Sequence, residues 1–140
     1  MNDILVNKIQ SIQRCVERAR EEYDKSPGTF DADFTSQDAA ILNILRACEQ
    51  AIDLANHIIK LNKMGIPNSS VESFDLLQRK HVISKDLAEK LKNMVRFRNL
   101  IVHQYDKLDI EIVKSVINNN LADLGLYTDQ VIEYFRDNPS

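Results

Sequence analysis

Residues 94 to 105, Met94-Val95-Arg96-Phe97-Arg98-Asn99-Leu100-Ile101-Val102-His103-Gln104-Tyr105, set Arg98, Asn99, His103 and Tyr105 into a largely apolar run. Histidine titrates near neutral pH and can give or take a proton, while a guanidinium stabilises charge developing on phosphate oxygens. An Asn beside them adds an amide that can orient the site. Such groups suffice to cleave RNA through its own 2′-hydroxyl without a metal ion. As a bare spacing, however, Arg-x-x-x-x-His fits a structural Arg and an exposed His equally well.

Each residue of an α-helix turns roughly 100°, so Leu91, Met94, Arg98, Val102 and Tyr105 share one narrow face. Arg98 sits in the middle of that stripe. A buried guanidinium without a partner is costly, so it must meet a carboxylate, line a solvated cleft or bind an anion. Glu49 and Asp53, one turn apart in the second helical stretch, are the candidate carboxylates. In the plainest reading, Arg98 does no more than tie two helices together. His103 follows Arg98 by five residues, about 140° around the axis and about 7.5 Å along it. Asn99 and His103, four apart, stack on one face. Arg98 and His103 can therefore meet one substrate only if the helix loosens near Gln104, or if a second copy of the chain brings its own Arg and His. Phe97 and Leu100 project off the Arg98 face and offer apolar surface to a neighbour, a second subunit included. Tyr105 also reads as a core Tyr with its hydroxyl at the surface.

Five helices must position these groups. Leu5, Ile9, Ile12, Val16, Ala19 and Tyr23 recur with helical spacing over residues 3–23, and Ser26-Pro27-Gly28 stops that helix. Thr35 and Asp38 resemble a capping pair that opens a second helix, whose stripe is Ile41, Ile44, Leu45, Cys48, Ile52, Ala55, Ile58 and Ile59. Met64-Gly65-Ile66-Pro67 closes it. Ser69 and Glu72 form a capping box for a short helix to about Lys80, and Ser84 caps the helix that carries Arg98. Asp109 caps one long closing helix through Phe135, weakened locally at Asn118-Asn119-Asn120 and Gly125. No stretch alternates with period two, so no sheet is expected. The expected fold is all-α, an antiparallel four-helix bundle with an additional short helix, formed as one domain over residues 1–140.

Composition agrees. With 140 residues, 44% of them apolar, the chain can bury roughly two thirds of its unfolded surface in one core. It shows no secretory leader pattern and no apolar run long enough for a membrane span, which points to the cytoplasm. Cys15 and Cys48 fall on helix stripes and read as free core thiols. Two Cys and the scattered His57, His81 and His103 do not make a metal site, and no cofactor is expected. His57 and His81 read as surface or satisfied structural residues. The net charge of −3 excludes a protein that coats nucleic acid indiscriminately. Residues 79–114 nevertheless carry nine Lys or Arg against five acids, leaving −7 on the remainder. Lys85, Lys90 and Lys92 read as a solvated face that could guide an RNA strand.

The segment Arg98-Asn99-Leu100-Ile101-Val102-His103-Gln104-Tyr105 matches the R-x-x-x-x-H-x-Y signature of HEPN domains, including the polar residue after Arg. It resembles in particular the HepT toxins that pair with minimal nucleotidyltransferase antitoxins. The long first helix, the Ala51-Ile52-Asp53-Leu54-Ala55 segment and the long closing helix extend the resemblance over nearly the whole chain. It implies a metal-independent endoribonuclease in a type VII-like toxin–antitoxin system, acting as a homodimer whose two signature segments line one cleft. It further implies Arg98 and His103 as the catalytic pair, Asn99 as their support, and Tyr105 as the residue silenced by AMP addition from the antitoxin. Hetero-oligomers with the antitoxin would then form as well. Two other functions fit the residues: a non-catalytic HEPN module that docks and regulates a nucleotidyltransferase, and a helical bundle that senses nucleotides through Arg98 and the lysines.

Overall fold

The computed structural model describes residues 1–25 and 28–139. They form six helices: α1 (Asp3–Asp24), α2 (Phe34–Leu61), α3 (Ser70–Arg79), α4 (Lys85–Gln104), α5 (Ile110–Asn119) and α6 (Leu121–Asp137). No strand occurs among the described residues. Side-chain pairings fix the directions. Along α2 and α4, Asp38 meets Tyr105 and Glu49 meets Arg98. Gln130 of α6 accepts from the Ser84 backbone N–H, and Asp123 lies 4.0 Å from Lys90. Near the start of α1, Lys8 reaches Asp53, late in α2. In each pair the numbering rises on one helix as it falls on the other, as an antiparallel bundle of α1, α2, α4 and α6 requires.

The apolar stripes supply the core. Leu5, Ile9, Ile12, Cys15, Val16 and Ala19 of α1 are buried, as are Ile41, Ile44, Cys48, Ile52, Ala55, Ile58 and Ile59 of α2. On α6 the buried Tyr127 donates its hydroxyl to the Ala51 carbonyl at 2.9 Å and packs edge-on against Phe74. Burial without a solvated hydroxyl would leave that group unpaired, at a cost of about 1–3 kcal/mol.

Helix ends depart from the sequence reading in instructive ways. Asp33, not Thr35, caps α2: its carboxylate accepts from the Ser36 N–H at 3.1 Å and the Ser36 hydroxyl at 2.9 Å. These hydrogen bonds hold the Asp33 carboxyl below the usual range. Freed from capping, Asp38 is available elsewhere. At the other end of α2, Gly65 arrives two residues late. Lys63 adopts left-handed geometry with φ of 52°, and the Met64 and Lys63 N–H groups bond back to the carbonyls of Ile59 and Lys60. The same double closure ends α3, with His81 at φ of 62° and Val82 and His81 bonding to Leu77 and Gln78. Both are Schellman caps, in which buried Met64 and Val82 seal the apolar side. Ser69 and Ser84 do cap α3 and α4, accepting from Glu72 and Leu87.

The expected single closing helix is two. Asn120 ends α5 and precedes α6, at the Asn118-Asn119-Asn120 run whose low helix propensity weakens the helix locally. Gly125, by contrast, lies within α6 without interrupting it. The expected stop of α1 at Ser26-Pro27 lies outside the described residues. Among those described, no helix is long and apolar enough to cross a membrane.

Candidate functional site

Arg98 emerges from α4 between the buried Met94, Val95, Phe97 and Ile101, and turns toward α2 and α3. Its Nε lies 3.5 Å from Glu49 Oε1, and its Nη2 donates to Ser70 Oγ at 3.3 Å. The sealed Nε has no aligned hydrogen bond, so its pairing with Glu49 is electrostatic. Between the two candidate carboxylates the structure selects Glu49. Asp53 serves Lys8 instead, at 4.0 Å. With 21% of its side chain exposed, Arg98 is neither buried core nor free surface. It stands at the rim, with Nε sealed beside Glu49 and Nη2 held by Ser70.

His103 and Asn99 are exposed, and among the described residues His103 has no hydrogen-bond or ionic partner. The helix does loosen at Gln104, with φ of −140° and ψ of 39°, and a tight 3₁₀ turn follows over Tyr105–Lys107. That loosening comes one residue after His103. His103 thus keeps its helical register, and only Tyr105 is repositioned.

Tyr105 was expected on the apolar stripe, but it and Val102 are about half exposed, at 46% and 51%. Its hydroxyl donates to the Asp38 carboxylate on α2. Desolvation, followed by the bond to Asp38 and its charge, pushes the Tyr105 hydroxyl up to about 12. Both Arg98 and Tyr105 therefore face α2. Between α2 and α4 runs an apolar groove of about 540 Å³, lined by Ile41, Leu42, Leu45, Ile101, Val102 and the Tyr105–Asp38 pair.

Phe97 and Leu100 do not offer a surface to a neighbour. Phe97 is buried in the chain's own core and Leu100 packs against it. The exposed apolar groups next to the site are instead Leu42, Val102 and Tyr105, with Phe34 at the start of α2. The lysine face is also less free than expected. Lys92 is held at 2.8 Å by both Asp75 and Glu89, and Lys90 pairs with Asp86 at 3.2 Å. Only Lys85 of the three stays unpaired among the described residues.

Cysteine chemistry finds no support. Cys15 and Cys48 are free and buried, and burial pushes the Cys48 thiol up to about 12. His57 is neither surface nor satisfied: it is partly buried, and its Nε2 lacks a hydrogen-bond partner. His81 is exposed and serves the α3 cap. Among the described residues no group of three His, Cys, Asp or Glu is placed to hold a metal ion. A second groove, of about 420 Å³, lies at the opposite end of α4 between His81, Ser84, Glu133 and Asp137. Its carboxylates would repel a phosphate.

Sequence reasoning missed Asp38 and Ser70. Neither could be found by spacing, since Asp38 is 67 positions from Tyr105 and Ser70 is 28 from Arg98.

Comparison with known proteins relates the chain as a whole to nucleases. The family model described as ribonuclease HepT-like matches residues 12–131. The chain is 44% identical over 131 residues to the mRNA nuclease HepT of Shewanella oneidensis, covering 94% of this chain and 98% of that one. It is 24% identical over 131 residues to the tRNA nuclease HepT of Aphanizomenon flos-aquae, covering 94% and 89%. A solved structure of a tri-AMPylated Shewanella oneidensis HEPN toxin in complex with its MNT antitoxin superposes with a TM-score of 0.89. That match has 43% identity and covers 95% of this chain and 99% of the other.

Proposed function

The chain belongs to the HepT-like ribonuclease family, and from that premise we propose that it is the toxin of a type VII-like toxin–antitoxin pair. It is an endoribonuclease acting on cytoplasmic RNA and silenced by AMP addition to Tyr105. The observation that carries this reading is the disposition of the signature residues: Arg98 braced at the rim by Glu49 and Ser70, with His103 and Tyr105 open to solvent at the end of the same helix.

The chemistry follows from those groups. The 2′-hydroxyl of a nucleotide attacks the adjacent phosphate, so a P–O bond forms to the 2′-oxygen and the bond to the 5′-oxygen breaks. His103 exchanges the proton that this displacement requires, and the Arg98 guanidinium stabilises the charge that gathers on the phosphate oxygens. Asn99, one turn before His103, orients the imidazole or the substrate. No step calls on a metal ion.

Within one chain Arg98 faces α2 and α3 while His103 faces solvent, so a homodimer completes the cleft. Support for a second copy comes from exposed Leu42, Val102 and Tyr105 beside the groove, an apolar surface that water leaves uncovered at a cost. The antitoxin, a minimal nucleotidyltransferase, would approach the same helix end to reach Tyr105. An AMP ester there replaces a hydrogen-bond donor with a phosphate facing Asp38. The resulting repulsion and bulk close the cleft to RNA.

The test is expression. The chain alone should arrest growth and degrade RNA in the presence of a chelator, and co-expression with its nucleotidyltransferase should relieve both. A growth-neutral chain that still binds the nucleotidyltransferase would favour the docking-module reading, for which the Glu49–Arg98 pair supplies a purely structural use of Arg98.

A further inference from the structure

We infer that Asp38 is the proton acceptor for AMP addition to Tyr105, so that the toxin chain itself supplies a catalytic residue for its own silencing. The inference rests on the reading of Tyr105 as the modified residue. A phenol is a poor nucleophile while it holds its proton, and the reaction needs a base within hydrogen-bond reach of that proton. The Tyr105 hydroxyl already donates to the Asp38 carboxylate. Asp38 lies on the first turns of α2, where Asp33 has taken over the capping role, and its side chain is exposed. It has no other partner among the described residues, and no other charged side chain acts on the Tyr105 hydroxyl. The arrangement repeats the logic by which a carboxylate accepts a substrate hydroxyl proton during phosphoryl transfer.

In the balanced step, Tyr105 Oη forms a bond to the α-phosphorus of ATP, the bond from that phosphorus to the bridging oxygen breaks, and pyrophosphate leaves. The phenolic proton passes to the Asp38 carboxylate and from there to water. The partner nucleotidyltransferase supplies ATP and positions its phosphates. Asp38 supplies the base, on the chain being modified. Partial desolvation and the bond to Asp38 disfavour spontaneous ionisation of the phenol, so Tyr105 stays unreactive until a triphosphate is presented to it.

The test combines the purified protein with its nucleotidyltransferase, magnesium and ATP, and follows Tyr105 by intact mass and peptide mapping. Asp38→Asn keeps the shape and can accept the hydrogen bond but cannot take the proton. It should slow the initial rate about 100-fold near neutral pH, with the deficit shrinking as rising pH lets hydroxide substitute. Asp38→Glu should restore most of the rate, and calorimetry should show the nucleotidyltransferase binding Asp38→Asn as tightly as wild type. Modification of Asp38→Asn at the wild-type rate, or a slowing by the same factor at every pH, would overturn the role of Asp38 alone. A wild-type chain labelled somewhere other than Tyr105 would overturn the assignment of Tyr105 and the role of Asp38 together.

Discussion

The Tyr105 hydroxyl donates a hydrogen bond to the Asp38 carboxylate, tying the turn after α4 to the first turns of α2. In the proposed mechanism RNA cleavage does not draw on that hydroxyl, whereas silencing does. Tyr105→Phe should therefore cleave RNA within a few-fold of wild type yet remain toxic beside the nucleotidyltransferase. Growth assays with and without the partner check this, and a silenced Tyr105→Phe chain would contradict it.

The same bond gives Tyr105 a distinctive titration. Burial and Asp38 raise its hydroxyl to about 12, against an ordinary value near 10. The folded chain holds this proton more tightly than the unfolded one. The associated stability is thus intact below about pH 10 and is lost as pH rises through about 12. The difference in phenolate absorbance between wild type and Tyr105→Phe isolates this group. Asp38→Asn should shift its midpoint down, and an unshifted midpoint would show that the carboxylate contributes nothing.

Glu49 offers a test of how Arg98 is positioned. It is half exposed, so the pair contributes little to stability, but it fixes the side of the rim on which the guanidinium stands. Glu49→Gln should reduce kcat for RNA cleavage about tenfold while thermal unfolding changes little. Arg98→Lys should lose more, on the order of 100-fold, because a single ammonium cannot face Glu49, Ser70 and a phosphate together. Equal kcat in Glu49→Gln and wild type would make the pair incidental.

The bundle was legible in the sequence because helix stripes obey a local rule. Leu5 to Ala19 and Ile41 to Ile59 could be placed by spacing alone, and nearly all of them are buried. Helix ends were less legible, since several residues compete for each cap. Thr35 draws the eye because it stands three before an acid, and Gly65 because glycine is the usual left-handed residue, whereas Asp33 and Lys63 fill those places in the structure. The site was half legible. Arg98, Asn99, His103 and Tyr105 lie within eight residues on one helix end, so their grouping is visible in the chain. Asp38 and Ser70 are not, because tertiary packing alone brings them to that helix. Placing Val102 and Tyr105 on the apolar stripe also put them in the core, yet Val102, still in helical register, and Tyr105, beyond the break at Gln104, are both about half exposed.

The Schellman caps carry their own prediction. Lys63 and His81 hold left-handed geometry that disfavours a Cβ, while glycine adopts it without strain but loses more freedom on folding. The balance favours glycine modestly. Lys63→Gly and His81→Gly should each raise stability by roughly 0.5–1 kcal/mol in urea unfolding. Destabilisation by either would mean that the side chain makes a contact worth more than the strain.

In the proposed mechanism His103 and Arg98 cleave RNA without a metal ion. That mechanism is tested most directly by comparing His103→Ala with wild type, both purified to the same standard, on a defined RNA in the presence of EDTA. Full wild-type cleavage is expected in EDTA, with a loss of about 100-fold or more in His103→Ala and unchanged thermal unfolding because the imidazole is exposed. Cleavage by His103→Ala at the wild-type rate, or wild-type activity that disappears with EDTA, would contradict that mechanism.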